Sequence, residues 1–331
     1  MGDEFQSASL SQSPVMENPL PAQPWVPVRW PLRSRSRWYN SLPFHVGLFL
    51  LTILTTLIVG THIEINYAHN LPVFDWEVSR AYFQGLWHYP GRLALGVPFS
   101  ATLLSILLAH ELGHYLTCRH YGIRATYPYF IPAPTLIGTL GAFIRIKSPI
   151  ANRRELFDIG ISGPLAGFVI AIPALAVAIH LSKTGLPAST PDSITLGNPL
   201  ALILLVKLLR TGVNSATMTL NPVGCAAWVG LFATTLNLLP VGQLDGGHIL
   251  YAVIGDKQRY ISRGFLLALL PLGIFCWMGW MVWGVTLFFL GLRHPMLLDP
   301  TETLGRGRKI LALVAALIFA LTFITTPFSF Q

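Results

Sequence analysis

Residues Leu93 to Cys118 read LALGVPFSATLLSILLAHELGHYLTC, an apolar run that stays almost free of charge until Glu111. A helix needs about 20 predominantly apolar residues to cross a bilayer, and this run is long enough. His110 and His114 stand four apart, on one face of such a helix, close enough to share a single Zn²⁺. The intervening Glu111 can act on water held at that metal. An ionisable cluster at membrane depth is costly, which marks it as a functional site rather than packing. The alternative is a chance HExxH on a buried helix of a soluble protein.

Composition bears on that choice. The chain has 331 residues, 53% of them hydrophobic and only 11% charged, whereas soluble domains carry about 25% charged residues. An integral membrane protein is the reading that fits. The formal net charge of +8 suits anionic lipid headgroups and not nucleic acid, because no basic stretch is interleaved with stacking aromatics. Cys118, Cys225 and Cys276 all lie in apolar runs and form no CxxC pair, so they read as packing residues. The first 28 residues are polar and rich in Pro, Ser and Gln, with no apolar core of a secretory signal. They predict disorder over a basic-ended N-terminal stretch, residues 1–40, ahead of a membrane domain over 41–331.

Apolar segments predict spans over Phe44–Ile63, Leu93–Cys118, Phe157–Leu181 and Pro222–Leu239, with a longer run over Gly264–Leu292. That run is long for one span and short for two, with Pro271 and Gly273 as a break point. Ile310–Ile324 is a shorter candidate, and Asn198–Leu209 reads as interfacial or re-entrant. The expected fold is therefore an all-α polytopic membrane protein with six or seven transmembrane helices. A short membrane-associated β element is added by Gly138–Lys147, GTLGAFIRIK, which alternates with strand periodicity.

Positive charge sets the expected direction. Arg29, Arg33, Arg35 and Arg37 precede the first span and place the N-terminus in the cytoplasm. The next loop carries Glu64, Asp75 and Glu77. The one after it holds Arg119, Arg124, Arg145, Lys147, Arg153 and Arg154. The second and fourth spans then run the same way and end at the same depth. One ends in HELGH; the other leads into Asp245-Gly246-Gly247.

A catalytic zinc keeps three protein ligands and an open position. Asp245 is the third ligand that this topology offers. His120 stands at the spacing of a metzincin third histidine, but Thr117 replaces the glycine that would turn the chain. In an unbroken helix it lies about 15 Å along the axis and roughly 80° round from His110. With His110, His114 and Asp245 as ligands, Glu111 is placed as the general base. Asn237 either donates to the developing oxyanion or satisfies backbone around Pro240. His248 is a structural histidine or supports Asp245. Gly163 and Gly167, in SGPLAG, form a face for close helix packing.

HELGH at 110–114 together with NLLPVGQLDGG at 237–247 resembles the site-2 protease family of intramembrane zinc metalloproteases, whose signatures HExxH and NxxPxxxLDG match at every fixed position. The resemblance covers about Leu93 to Gly247, a core expected over 93–250. No inserted segment reads as a PDZ or CBS domain, which groups the chain with compact members. His294-Pro295 with Leu298-Asp299-Pro300 resembles bacterial and chloroplast types. The resemblance implies one Zn²⁺ per chain held by His110, His114 and Asp245, Glu111 as base, and Asn237 positioning the substrate carbonyl. It implies an endopeptidase that uses zinc-activated water to cut in or near a transmembrane segment of a protein substrate, near the cytoplasmic face. A membrane-tethered regulator is one such substrate, and Gly138–Lys147 would pair with it. The expected setting is a multi-pass protein of a bacterial cell membrane. A zinc carrier would need further ionisable residues along its spans, and outside the two motifs they carry almost none.

Overall fold

The structure is a computed structural model that describes residues 38–74, 85, 88–185, 194–291, 297, 299 and 302–330. The polar N-terminal stretch with Arg29 to Arg37, Asp75, Glu77, Arg293 and His294-Pro295 lie outside the described residues.

Helix α1 (Leu42–Ala68) is mostly apolar, with His45, His62, Glu64 and Asn66 toward its ends, and its Thr52, Thr56 and Thr61 are buried. Each hydroxyl donates to the carbonyl four residues back, at 2.8, 2.7 and 2.8 Å, so none is left unpaired. A 3₁₀ stretch, Pro90–Gly96, runs directly into α2 (Val97–His120). Helix α1 meets this pair backbone to backbone: a Cβ on Gly60 would lie 2.7 Å from the Gly96 carbonyl oxygen, and one on Gly96 would strike the Leu57 carbonyl. Thr56 and Ser100 complete the join with a hydroxyl pair at 2.7 Å.

Helix α3 (Arg153–Leu181) opens on a reciprocal cap. Asn152 Oδ1 accepts from the Glu155 N–H at 2.9 Å, and Glu155 Oε2 accepts from the Ala151 N–H at 2.9 Å. These three helices are long and apolar enough to cross a membrane, the second counted from Pro90 to His120. The remaining described helices are α4 (Leu200–Leu209), α5 (Pro222–Leu238), α6 (Asp245–Ile254), α7 (Gln258–Phe275), α8 (Gly279–Leu290) and α9 (Arg306–Thr322).

The expected spans therefore change in detail. Pro222–Leu239 and Ile310–Ile324 fold as helices of 17 residues each, and Asn198–Leu209 as one of 10. The run over Gly264–Leu292 does not break at Pro271. Proline stays inside α7, and the helix closes when the Cys276 and Trp277 N–H groups both donate to the Leu272 carbonyl at 3.0 Å. Gly273 instead lets α8 approach, since a Cβ there would lie 2.7 Å from that of Met281.

The main core lies between α2, α3 and α5, around Phe99, Leu103, Leu175 and Trp228. Helices α2 and α5 run parallel. Gly230 takes the Ile106 side chain and, further along both helices, Asn237 meets His110. Among the described residues, three two-stranded antiparallel ribbons decorate the bundle. Strands β1 (Tyr129–Pro132) and β2 (Thr139–Phe143), which follow α2 in the chain, pair with each other and pack on α1 and α2; β2 falls within the expected β element Gly138–Lys147. Strands β3 (Lys183–Thr184) and β5 (Met218–Thr219) join the end of α3 to the start of α5. Strands β4 (Ile194–Leu196) and β6 (Phe328–Phe330) form the third ribbon. Asp158, at the start of α3, receives Arg308 Nε and Nη2 of α9 at 2.8 and 2.6 Å and the Tyr121 hydroxyl at 2.5 Å. One carboxylate thus ties α9 and the end of α2 to α3.

The join between α1 and the 3₁₀ stretch has no room for a methyl group. Gly96→Ala should lower the thermal midpoint of the detergent-purified chain, at a cost of about 1–3 kcal/mol. Gly264→Ala, where nothing lies within 4 Å, should leave the midpoint unchanged or raise it.

Candidate metal centre

Helix α2 presents His110 and His114 one turn apart toward α3 and α5, and both are buried with Glu111 between them. They reach α3 because glycines remove what would block them. A Cβ on Gly163 would enter the His114 ring, and one on Gly167 would lie 3.4 Å from His110 Cβ and Nδ1. On the facing helix, a Cβ on Gly113 would lie 2.5 Å from the Ser162 carbonyl oxygen. The glycine face expected at 163 and 167 is a packing face, and what it packs against is the two imidazoles.

Asp245 arrives by a tight reversal. Helix α5 ends at Leu238, the Val241 N–H donates to the Leu239 carbonyl at 2.7 Å, and Gly242 turns with φ of 55°. Helix α6 then starts at Asp245 itself, where the N-terminal dipole favours a carboxylate. Gly246 packs on the Leu238 carbonyl, and a Cβ on Gly247 would lie 2.8 Å from the Val241 carbonyl oxygen. The two glycines after Asp245 let α6 fold back against the end of α5.

The three side chains converge. His110 Nε2 and His114 Nε2 lie 3.1 Å apart, and Asp245 Oδ2 lies 3.2 and 3.3 Å from them. Tetrahedral ligands about 2.0–2.1 Å from zinc stand about 3.3–3.4 Å from each other, so the triangle has the size of a zinc face. Its chemistry agrees. His114 Nδ1 lies 2.7 Å from the Ile159 carbonyl, which can only accept, so Nδ1 carries the hydrogen. Nε2 of the neutral ring is then a lone pair, aimed at a carboxylate and a second imidazole. Two imidazole nitrogens and a carboxylate oxygen make an N₂O donor set, which suits zinc.

Asn237 Nδ2 lies 3.2 Å from His110 Nε2, beside the triangle. The Glu111 carboxylate is within hydrogen-bonding reach of the Ile144 backbone, directly after β2, so the ribbon borders the cluster. Among the described residues, the one group that could hold a metal is His110, His114 and Asp245. His120 is exposed at the end of α2, against Tyr121, and takes no part. His248 packs by its Cβ over Gly160. His180 is exposed at the far end of α3, and Asp158 is committed to Arg308 and Tyr121.

A family model described as peptidase family M50 matches residues 98–279, more than half of the chain and the whole of this site. The chain belongs to that family. Among curated relatives, it is 29% identical over 323 residues to the probable zinc metalloprotease EGY2, chloroplastic, of Arabidopsis thaliana, covering 96% of this chain and 54% of the relative. It is 31% identical over 291 residues to EGY1 of the same plant, covering 82% and 52%. To EGY2 of Oryza sativa subsp. indica it is 34% identical over 245 residues, covering 71% and 43%. The chain spans about half the length of the curated relatives it matches. Their names place those relatives in chloroplasts, so the expected bacterial cell membrane finds no support among them. Family and apolar helices together carry membrane residence.

Sequence reading did not find the Ile159 carbonyl, because a backbone acceptor 45 residues from His114 leaves no side-chain signal. If Gly163 does seat that ring, Gly163→Ala should strip bound zinc from the purified, folded chain although no ligand is altered. Metal content per chain, read by elemental analysis, checks this: about one zinc in the wild type and far less in the variant.

Proposed function

We propose that this M50 protein is an intramembrane zinc endopeptidase that hydrolyses a peptide bond in or near a transmembrane segment of another membrane protein. The observation that carries the reading is the convergence of His110, His114 and Asp245 from two parallel helices, with Glu111 buried beside them. His110, His114 and Asp245 would hold the metal. Zinc, when bound there, supplies a Lewis acid that acidifies water and polarises a carbonyl.

The chain's own residues do the rest. The Ile159 carbonyl fixes the His114 ring, so that Nε2 faces the metal position. Glu111 accepts a proton on its carboxylate and returns it to the leaving amine, the ordinary use of a positioned general base. Asn237, whose carboxamide sits beside His110 Nε2, donates to the substrate carbonyl oxygen as negative charge develops on it. Among the described residues β2 is bonded to β1 alone, so its other edge is open for an extended segment. An extended substrate is what the chemistry needs, because a helix has no free carbonyl to offer.

The topology proposed with this activity is six or seven spans, the shorter helices α5 and α9 included, within a membrane domain over 41–331. The basic residues Arg119, Arg124, Arg145, Lys147, Arg153 and Arg154 sit at the end of the bundle that holds the cluster. By the charge rule that end faces the cytoplasm, where the cut would be made. A membrane-tethered regulator is the substrate class that such a cut would release.

Glu111→Gln tests the chemistry: zinc should stay bound while cleavage of a transmembrane reporter falls by at least about 10²-fold. Unchanged cleavage would contradict the assignment. The need for an extended substrate is tested with a reporter series in which Gly or Pro near the scissile bond becomes Leu. Cleavage should slow along the series, and equal rates would contradict unwinding.

A further inference from the structure

One buried polar pair lies outside the ligands and close to them. Gln258 and Ser262, on successive turns of α7, are 2% and 0% exposed. Gln258 Nε2 donates to Ser262 Oγ at 2.7 Å, and Ser262 Oγ donates to the Pro240 carbonyl at 2.7 Å. Pro240 stands between Asn237 and Asp245, at the reversal from α5 into α6. Polar side chains this deeply buried are costly unless bonded, and this chain of bonds ends on the turn that carries two site residues.

The rest of the reversal is held differently. On the α5 side it rests on glycine contacts and a short main-chain bond. On the α7 side, Leu239 and Val241 pack among Leu269, Phe265 and Leu266. Apolar contact sets how close two surfaces come but leaves the turn free to slide and rotate. A directed hydrogen bond to one carbonyl removes that freedom. The ligand triangle tolerates little of it, since a catalytic constellation must be held within about 0.5 Å.

We propose that Ser262 and Gln258 are positioning residues, a two-link hydrogen-bond chain that fixes the Pro240 turn and thereby sets Asp245 and Asn237 against His110 and His114. The inference rests on reading that cluster as the zinc site. Ser262 supplies the bond to the turn, and Gln258 holds the Ser262 hydroxyl in the orientation that makes it.

The test uses the full chain in detergent, with zinc retention titrated against a chelator and cleavage of a transmembrane reporter resolved into kcat and KM. Ser262→Ala should retain zinc roughly tenfold more weakly. Its kcat should fall while KM holds, because the Asn237 donation counts only as charge develops in the transition state. Gln258→Met should shift retention in the same direction by less, and the double variant should be no worse than Ser262→Ala. Thr322→Val removes another fully buried hydroxyl, bonded only within its own helix, and should leave zinc retention unchanged. If Ser262→Ala does not fold, Gln258→Met against Thr322→Val decides alone. Wild-type zinc retention in Ser262→Ala, or in Gln258→Met where it stands alone, would overturn the proposal. Effects of the two substitutions that multiply as independent packing defects would also overturn it. A wild-type chain that binds no zinc would overturn the site reading and this inference with it.

Discussion

The arrangement depends on how closely α2 approaches α3. Gly113 faces the Ser162 backbone, Gly163 faces the His114 ring and Gly167 faces His110. At that separation the His114 ring reaches the Ile159 carbonyl, which fixes the hydrogen on Nδ1 and turns Nε2 inward. A larger residue at any of these glycines would push the helices apart or the rings aside. The metal geometry is therefore a consequence of helix packing and not only of the HExxH spacing. Small-residue contacts are the usual means of close helix approach where water supplies no driving force.

Depth in the membrane explains much of the remaining polar structure. Backbone-directed bonds satisfy the buried threonines of α1, and Asn221 caps α5 by accepting from the Gly224 N–H at 2.9 Å. Asp158 is neutralised by a two-pronged Arg308 and a tyrosine hydroxyl, one residue before the carbonyl that orients His114. What stands apart is the cluster of His110, His114 and Asp245, where two imidazole nitrogens and a carboxylate oxygen converge within 3.1–3.3 Å. Such a convergence of ligand-type atoms is the arrangement that a divalent cation fits.

Much of this was legible in the residues. HELGH and LDGG could be joined because charge asymmetry makes their two helices parallel, and the structure brings Asp245 within 3.2 and 3.3 Å of the two histidines. Part of Gly138–Lys147 is strand, since β2 covers Thr139–Phe143, but the alternating residues after Phe143 make only an isolated bridge, Ile146 with Ala125. The break after Gly264 was expected at Pro271 and Gly273, because proline and glycine inside an apolar helix read as a stop, and it falls after Phe275. Here the helix continues and closes through bonds to the Leu272 carbonyl. The apolar stretches Pro222–Leu239 and Ile310–Ile324 emerge as α5 and α9, helices of 17 residues each. Long-range partners left no trace in sequence at all. The Ile159 carbonyl and the Ser262 bond to Pro240 are set by tertiary packing, and neither residue type announces such a role.

The claim on which the account rests is that His110, His114 and Asp245 form one zinc centre. X-ray absorption at the zinc edge of the purified chain measures this most directly. A centre of His110, His114 and Asp245 gives a nitrogen and oxygen shell at about 2.0–2.1 Å with the outer-shell signature of two imidazoles. A sulfur shell near about 2.3 Å, or the signature of a single imidazole, would contradict it.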